Sequence, residues 1–327
     1  MCNMKMTIST QSWPINGAFT ISRGSKTHAD VVVVTLEQQG HVGRGECVPY
    51  ARYGESIEQV MADLESIANQ LSQVDSAQDI QQLLPAGAAR NALDCAWWDL
   101  HCKQQQKTIW QLLEIEPYEL TTAFTLSLAS PEKMGADAKV NQARPVLKLK
   151  LAGEGDIERV SAVRRYAPNA MIIVDANEGW DVELYNAMIP QLKALNVAMI
   201  EQPFPADKDH WLDGLARPIT LCADESCHGV SSLAKLVGRY DMVNIKLDKT
   251  GGLTEALKLK QSAIEHGIKV MVGCMVGSSL GMAPAYVVAQ GAQIVDLDGP
   301  LLLAQDHPQG FEFDVSTMKV MSPELWG

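Results

Sequence analysis

From about residue 120 onward the chain alternates two kinds of segment, and this alternation constrains its fold more than any other feature. Apolar, strand-like runs at 122–126, 146–150, 171–175, 198–201, 219–222, 242–246, 269–273 and 293–296 follow one another at intervals of roughly 20 to 27 residues. Amphipathic helical runs lie between them, at 157–166, 182–195, 231–237, 253–266 and 282–290. Strands separated in this way are βα units, which build a parallel sheet. Eight of them close into a (β/α)8-type barrel. An open doubly wound sheet is the alternative, but no G-x-G-x-x-G follows the first strand. The fold class is therefore α/β.

The residues before 120 follow another pattern. Residues 4–50 read as an antiparallel meander whose clearest strand is the β-branched run at 31–36. A polar, glycine-containing loop at 21–27 precedes that strand, and turn material at 40–45 follows it. Helices are expected at 55–71, with Ser56 as cap, at 87–105 and at 108–114. This is an α+β unit over 1–119, set before a barrel over 120–304. The tail 305–327 has no helix of its own and is expected to fold back onto the N-terminal unit.

Composition narrows the function. The net charge of -12 argues against nucleic-acid and anionic-membrane partners, though not against small anionic substrates at a locally positive site. No apolar run approaches a transmembrane length, and no signal peptide is recognisable at the start. Seven cysteines at irregular spacings suit reduced core residues of a cytoplasmic protein.

The charged residues fall at one end of successive strands. Val146-Leu147-Lys148-Leu149-Lys150-Leu151 alternates with period two, so Lys148 and Lys150 share one side of a strand. Alone, it reads as a solvated edge strand. But Asp175, Glu201, Asp224, Lys246 and the pair Asp296 and Asp298 recur at the ends of the strands that follow, where barrel enzymes keep their catalytic groups. Singly, each carboxylate reads as a cap or a loop acid. Jointly, Asp175, Glu201 and Asp224 offer three hard oxygen ligands, a set suited to Mg2+, with Mn2+ as the alternative, rather than to zinc. Lys150 and Lys246 would face each other across this metal. Such an arrangement suits abstraction of a proton α to a carboxylate, with the metal and Lys148 stabilising the enolate oxygens. Two opposed bases permit racemisation or epimerisation. Lys249 competes for the second base but reads as a loop lysine.

Lys148-Leu149-Lys150, Val174-Asp175-Ala176-Asn177, Glu201-Gln202-Pro203, Ala223-Asp224-Glu225-Ser226 and the stretch from Asn244 to Gly252 together resemble the enolase superfamily, in particular its muconate lactonizing subgroup. The segments 49–56, 84–94 and 296–300 are similar to those of dipeptide epimerases of the Ala-Glu type. The resemblance implies an α+β capping domain over a (β/α)7β TIM-like barrel. It implies Mg2+ on Asp175, Glu201 and Asp224, with Lys150 and Lys246 as the acid/base pair. The implied reaction is epimerisation of L-Ala-L/D-Glu dipeptides by two-base proton transfer, in recycling of murein peptides. It further implies that Asp296 and Asp298 clamp the substrate ammonium and that Arg23 reads the glutamate side chain. Tyr50, Tyr53 and Thr125 would lie near the substrate. The loop after the seventh strand, with Cys274 and Met275, lies over the substrate and departs from the pattern of close relatives, which leaves first-residue preference open. The partner is a small dipeptide, and a homo-oligomer is compatible with the chain. Two alternatives remain: another reaction of the superfamily (cycloisomerase, o-succinylbenzoate synthase or N-acylamino-acid racemase), or a non-catalytic ligand-binding barrel.

Overall fold

The computed structural model describes residues 4–327. Strands β1 (Lys5–Ile21), β2 (Gly24–Gln38) and β3 (His41–Cys47) form an antiparallel sheet in the order β1-β2-β3. The unbroken run Val31-Val32-Val33-Val34 serves two cores. Val32, Val34 and Leu36 pack with the helices Ile57–Ser66 and Ala88–Gln105, while Val31 and Val33 join the core of the barrel. A sheet covered on both faces has no need of alternating polar residues.

Two expected irregular segments are regular. The 21–27 loop is a tight hairpin: Ile21 pairs with Gly24, and only Ser22 and Arg23 turn. Both faces of this tip are exposed, so no hydrophobic alternation marks the strands. The 40–45 turn is, from His41 on, strand β3. Its glycines are there for closeness to the helix Ala88–Gln105. A Cβ at Gly43 would lie 2.3 Å from the Ala96 carbonyl oxygen, and one at Gly45 2.2 Å from that of Ala92. The expected helices at 87–105 and 108–114 are present, with Thr108 capping Ile109–Leu113; the one expected at 55–71 starts where Ser56 accepts from the Gln59 amide at 3.2 Å but ends at Ser66, followed by a 3-10 segment (Ala68–Gln73) and by the unforeseen helix Ala77–Leu83.

A short β4 (Leu120–Thr121) leads into eight parallel strands: β5 (Phe124–Leu126), β6 (Val146–Lys150), β7 (Met171–Asp175), β8 (Val197–Glu201), β9 (Thr220–Ala223), β10 (Met242–Ile245), β11 (Lys269–Gly273) and β12 (Ile294–Asp296). They match the eight predicted runs to within two residues at each end. The ring closes between its first and last strands through Ala123 N to Val295 O and Leu297 N to Thr122 Oγ1, each 2.8 Å. Helices Asp156–Tyr166, Val182–Ala194, Leu253–Glu265 and Ser279–Ala289 lie where expected. The run at 231–237 is a 3-10 turn followed by the single helical turn Leu233–Leu236. The helix Pro131–Val140, capped by Ser130, was not foreseen; its apolar face is only Met134, Gly135 and Ala138.

The barrel interior is layered. Ala123, Ile173, Met199, Cys222, Met242, Met271 and Ile294 form a separate apolar plug. Two residues further along their strands come Asp175, Glu201, Asp224, Asn244, Gly273 and Asp296. The period of two thus stacks a polar layer on an apolar one.

The tail adds β13 (Phe313–Asp314), which pairs with β14 (Thr317–Met318), and β14 pairs in turn with β4. Beyond them, buried Trp326 donates from its indole to Cys95 O at 3.1 Å, and Gly327 N donates to Asp99 at 2.9 Å, both on the helix Ala88–Gln105. Six cysteines are free thiols, five of them buried; Cys2 lies outside the described residues. Among the described residues, no helix is long and apolar enough to cross a membrane.

Candidate active site

Sheet register assembles the site. In the aligned ladders Lys150 stands opposite Asp175, and Asp175 opposite Glu201. Asp224 follows the end of β9 and is set by Gln202, whose Oε1 accepts from Asp224 N at 2.9 Å. Ligand-capable oxygens of Asp175, Glu201 and Asp224 all lie within 4.8 Å of one another, and all three residues are buried.

Lysines surround this cluster. Lys148 Nζ lies 2.6 Å from Glu201 Oε2, 2.7 Å from Asp296 Oδ2 and 3.4 Å from Asp175 Oδ2. Lys150 donates to Asp175 Oδ2 at 2.6 Å, and Lys246 to Asp224 Oδ2 at 2.6 Å. Lys150 ends β6 and Lys246 follows β10, four strands round an eight-strand ring. They therefore approach the cluster from opposite sides. Lys148 and Lys150, which alone read as a solvated strand edge, thus sit in a buried lattice of alternating charge. Lys249 is the clear correction. It is fully buried in the helical turn Leu247–Thr250 and bonds Asp224 Oδ1 at 2.6 Å and Asn244 O at 3.0 Å. That turn folds the residue back beneath Asp224, which a count along the chain does not reveal.

The electrostatics follow from burial and these pairs. Burial favours the neutral amine at Lys148, but Asp296, Glu201 and Asp175 outweigh it and raise the pKa well above the ordinary value. Lys246 is likewise raised, as Asp224 and Glu201 override burial. Burial works against ionisation at Asp175, yet Lys150 and Lys148 pull it down to about 2. Glu201, buried and beside Asp175, is pushed up to about 7.

Asn244 escaped the sequence reading. It donates to Glu201 Oε1 at 2.7 Å, and Gly273 makes room for it: a Cβ there would lie 2.7 Å from Asn244 Oδ1. The signal was present, since Asn244 precedes Lys246 by one strand repeat. Gln202 was likewise given no role: its side chain is held by six hydrogen bonds, and its amide acts through Asp224.

Above the cluster opens a cavity of about 480 Å³. Lys148, Lys150, Asp224 and Lys246 line its floor. Thr125, Cys274, Met275, Asp296 and Asp298 line it from the barrel, and Arg23, Tyr50 and Tyr53 from the N-terminal unit. Asp175 and Glu201 lie beneath, fully buried. Asp296 Oδ1 is buried without a hydrogen-bond partner, while Asp298 Oδ2 accepts from Thr125 N at 2.6 Å. Burial and the neighbouring Asp296 push Asp298 up to about 6. Arg23 reaches over the opening to Glu225 at 2.8 Å and the Tyr50 hydroxyl at 3.2 Å, and Tyr50 packs edge-on against Tyr53.

An eight-stranded parallel barrel whose interior end carries three carboxylates between opposed lysines defines a class, and comparison with known proteins gives the same class. Residues 3–114 match the mandelate racemase / muconate lactonizing enzyme N-terminal domain, and residues 133–320 match the enolase C-terminal domain-like family. The chain belongs to this family of the enolase superfamily, within its dipeptide epimerases, and is an enzyme of the isomerase class. It is 45% identical over 306 residues to the L-Ala-D/L-Glu epimerase of Escherichia coli (strain K12), covering 93% of this chain and 95% of that one. An enolase family member from Agrobacterium tumefaciens with homology to dipeptide epimerases, solved with bound sodium and L-Ala-L-Glu and an ordered loop, is 49% identical. It superposes with a TM-score of 0.97 over 99% of this chain and 100% of that one. The dipeptide epimerase from Methylococcus capsulatus, solved with Mg and L-Arg-D-Lys, is 29% identical, with a TM-score of 0.91 over 100% and 99% of the two chains.

Proposed function

We infer that this chain is a Mg2+-dependent epimerase of dipeptides of the L-Ala-L/D-Glu type, inverting the α-carbon of the C-terminal residue. The observation that carries this reading is the approach of Lys150 and Lys246 to one carboxylate cluster from opposite sides of the ring. One amine removes the α-proton from one face, and the opposite ammonium returns a proton to the other. Lys148, held protonated, keeps a positive charge beside the carboxylate whose oxygens gain charge as the proton leaves.

The metal fits the residues present. Asp175, Glu201 and Asp224 form an all-oxygen set, and Glu201 Oε2 has only the nearby Lys148 amine, without a well-directed hydrogen bond. Bound there, Mg2+ would supply charge to acidify the α-proton and would offset the carboxylates that hold Lys246 protonated. Mn2+ suits the same oxygens.

The dipeptide ends are placed by charge. The unpartnered Asp296 Oδ1 and the Asp298 carboxylate are suited to the α-ammonium. The Arg23 fork is suited to the side-chain carboxylate of the second residue. We place the reaction in turnover of murein peptides in the cytoplasm. The test is incubation of L-Ala-D-Glu and L-Ala-L-Glu with Mg2+ in D2O, followed by NMR. Deuterium should enter the glutamate α-position as the epimers interconvert; no incorporation from either epimer rules the reading out.

A further inference from the structure

Glu178 stands at the meeting point of the two loops that roof the site. It lies three residues past Asp175, and both it and Asn177 adopt left-handed backbone angles, φ 66 and φ 46. Side chains other than glycine enter that region at a cost. The twist is held by Glu178 N donating to Gln202 O at 2.9 Å. It sends the Glu178 carboxylate to Arg52, in the turn Ala51–Tyr53, and to Arg23 at the hairpin tip.

Four donors share its two oxygens, and not equally. Arg52 takes both in a fork, Nε to Oε2 and NH2 to Oε1, each at 2.8 Å. Ala206 N adds a third bond at 2.9 Å. Arg23 NH1 is left with the longest contact, 3.3 Å. A carboxylate has about four acceptor sites; Arg52 and Ala206 N take three of them, which leaves one for Arg23. Without Arg52, Glu178 would turn its full charge on Arg23, its nearest remaining cation.

We propose that Arg52 is a specificity-determining positioning residue: it occupies Glu178, so that Arg23, already paired with Glu225 at 2.8 Å, has one fewer competing carboxylate to give up when it exchanges its contacts for the carboxylate of an acidic substrate side chain. Arg52 also lines the cavity, and its proposed effect runs through Glu178 and Arg23. The inference rests on the reading of Arg23 given above.

The test is a KM-against-kcat comparison on L-Ala-L-Glu and L-Ala-L-Gln. Arg52→Gln should raise KM for L-Ala-L-Glu about tenfold while kcat stays within about threefold, because ground-state capture is what is lost. The Arg52→Gln/Glu178→Gln double variant should recover KM to within about threefold of the parent, since the competing carboxylate is gone. KM for L-Ala-L-Gln should not respond to either change. An unchanged KM in the single variant, a double variant as impaired as the single, or equal loss on both dipeptides would each overturn the proposal. A substrate-free crystal structure of the Arg52→Gln protein tests it without turnover: the Arg23–Glu178 contact should shorten to about 2.9 Å, a normal charged hydrogen bond. A contact that stays long overturns the proposal. Absence of turnover in the parent protein would count against the proposed function instead.

Discussion

At the scale of single residues, the site is a problem in placing charge. Asp224 holds two lysines, one on each oxygen, and Lys148 is shared by Glu201, Asp296 and Asp175. Removing one member of a buried set leaves its partners uncompensated. On the proposed two-base mechanism Lys150 and Lys246 nevertheless have separable roles, because each would address one face of the substrate. Lys150→Ala should lower epimerisation by about a thousandfold, within the range for loss of a general base. It should abolish α-proton exchange for one epimer of L-Ala-Glu and spare it for the other; Lys246→Ala should show the converse. NMR in D2O reads both, and a loss identical for both epimers in both variants would contradict opposed bases. The proposed ammonium clamp makes a second prediction. Replacing Asp296 and Asp298 with Asn should raise KM for L-Ala-L-Glu about a hundredfold, the order expected for a lost buried charge pair. Any turnover of N-acetyl-L-glutamate, which lacks the ammonium, should not fall; steady-state kinetics on the two substrates decides.

At the scale of elements, the contact of β3 with the helix Ala88–Gln105 governs how the N-terminal unit sits. Gly45→Ala puts a methyl group 2.2 Å from a backbone oxygen that cannot move aside. Overpacking of this kind should destabilise by about 3 kcal/mol, read as a lower urea midpoint at unchanged slope. Glu46, on the same strand, crosses to the barrel and accepts from Ser278 N at 2.8 Å, at the start of the helix Ser279–Ala289. Burial pushes it from the usual 4.5 up to about 7, against the Ser278 hydrogen bonds. The sign follows from linkage. Between those values the folded chain holds the proton that the unfolded chain has released. The group's contribution is therefore complete below about pH 4.5 and is lost as pH rises through about 7. Glu46→Gln should flatten the fall in stability across that window by up to about 3 kcal/mol in urea titrations at stepped pH. These elements also mark where sequence reading ends. The glycines of β3 read as a turn because nothing local shows the helix that requires them. Pro131–Val140 went unseen because a helix whose buried face is only Met134, Gly135 and Ala138 has almost no apolar stripe.

At the scale of the molecule, the fold offers a cation three buried carboxylates at the centre of the barrel. A cation that binds only the native arrangement stabilises it by mass action, by about 2.7 kcal/mol at a hundred times Kd. Mg2+ should therefore raise the melting temperature of EDTA-treated protein and restore its activity together. An Asp224→Asn protein should show neither effect. Calorimetry with and without Mg2+ is sufficient, and equal melting temperatures for the parent protein would contradict the site.

What the sequence determined by itself was whatever repeats. Eight strands at regular intervals, the side-chain period of two within each, and one charged residue at the same end of most of them were enough to place Lys150, Asp175, Glu201, Asp224 and Lys246 around one axis. Periodicity is local, so it can be read without knowing the neighbours. Contacts that join non-repeating segments were decided only in three dimensions. The burial of Lys249 under Asp224 and the crossing of Arg23 and Arg52 at Glu178 depend on packing between segments that no repeat relates. No spacing rule encodes them, because their geometry is set by the closed barrel and the sheet that docks on it.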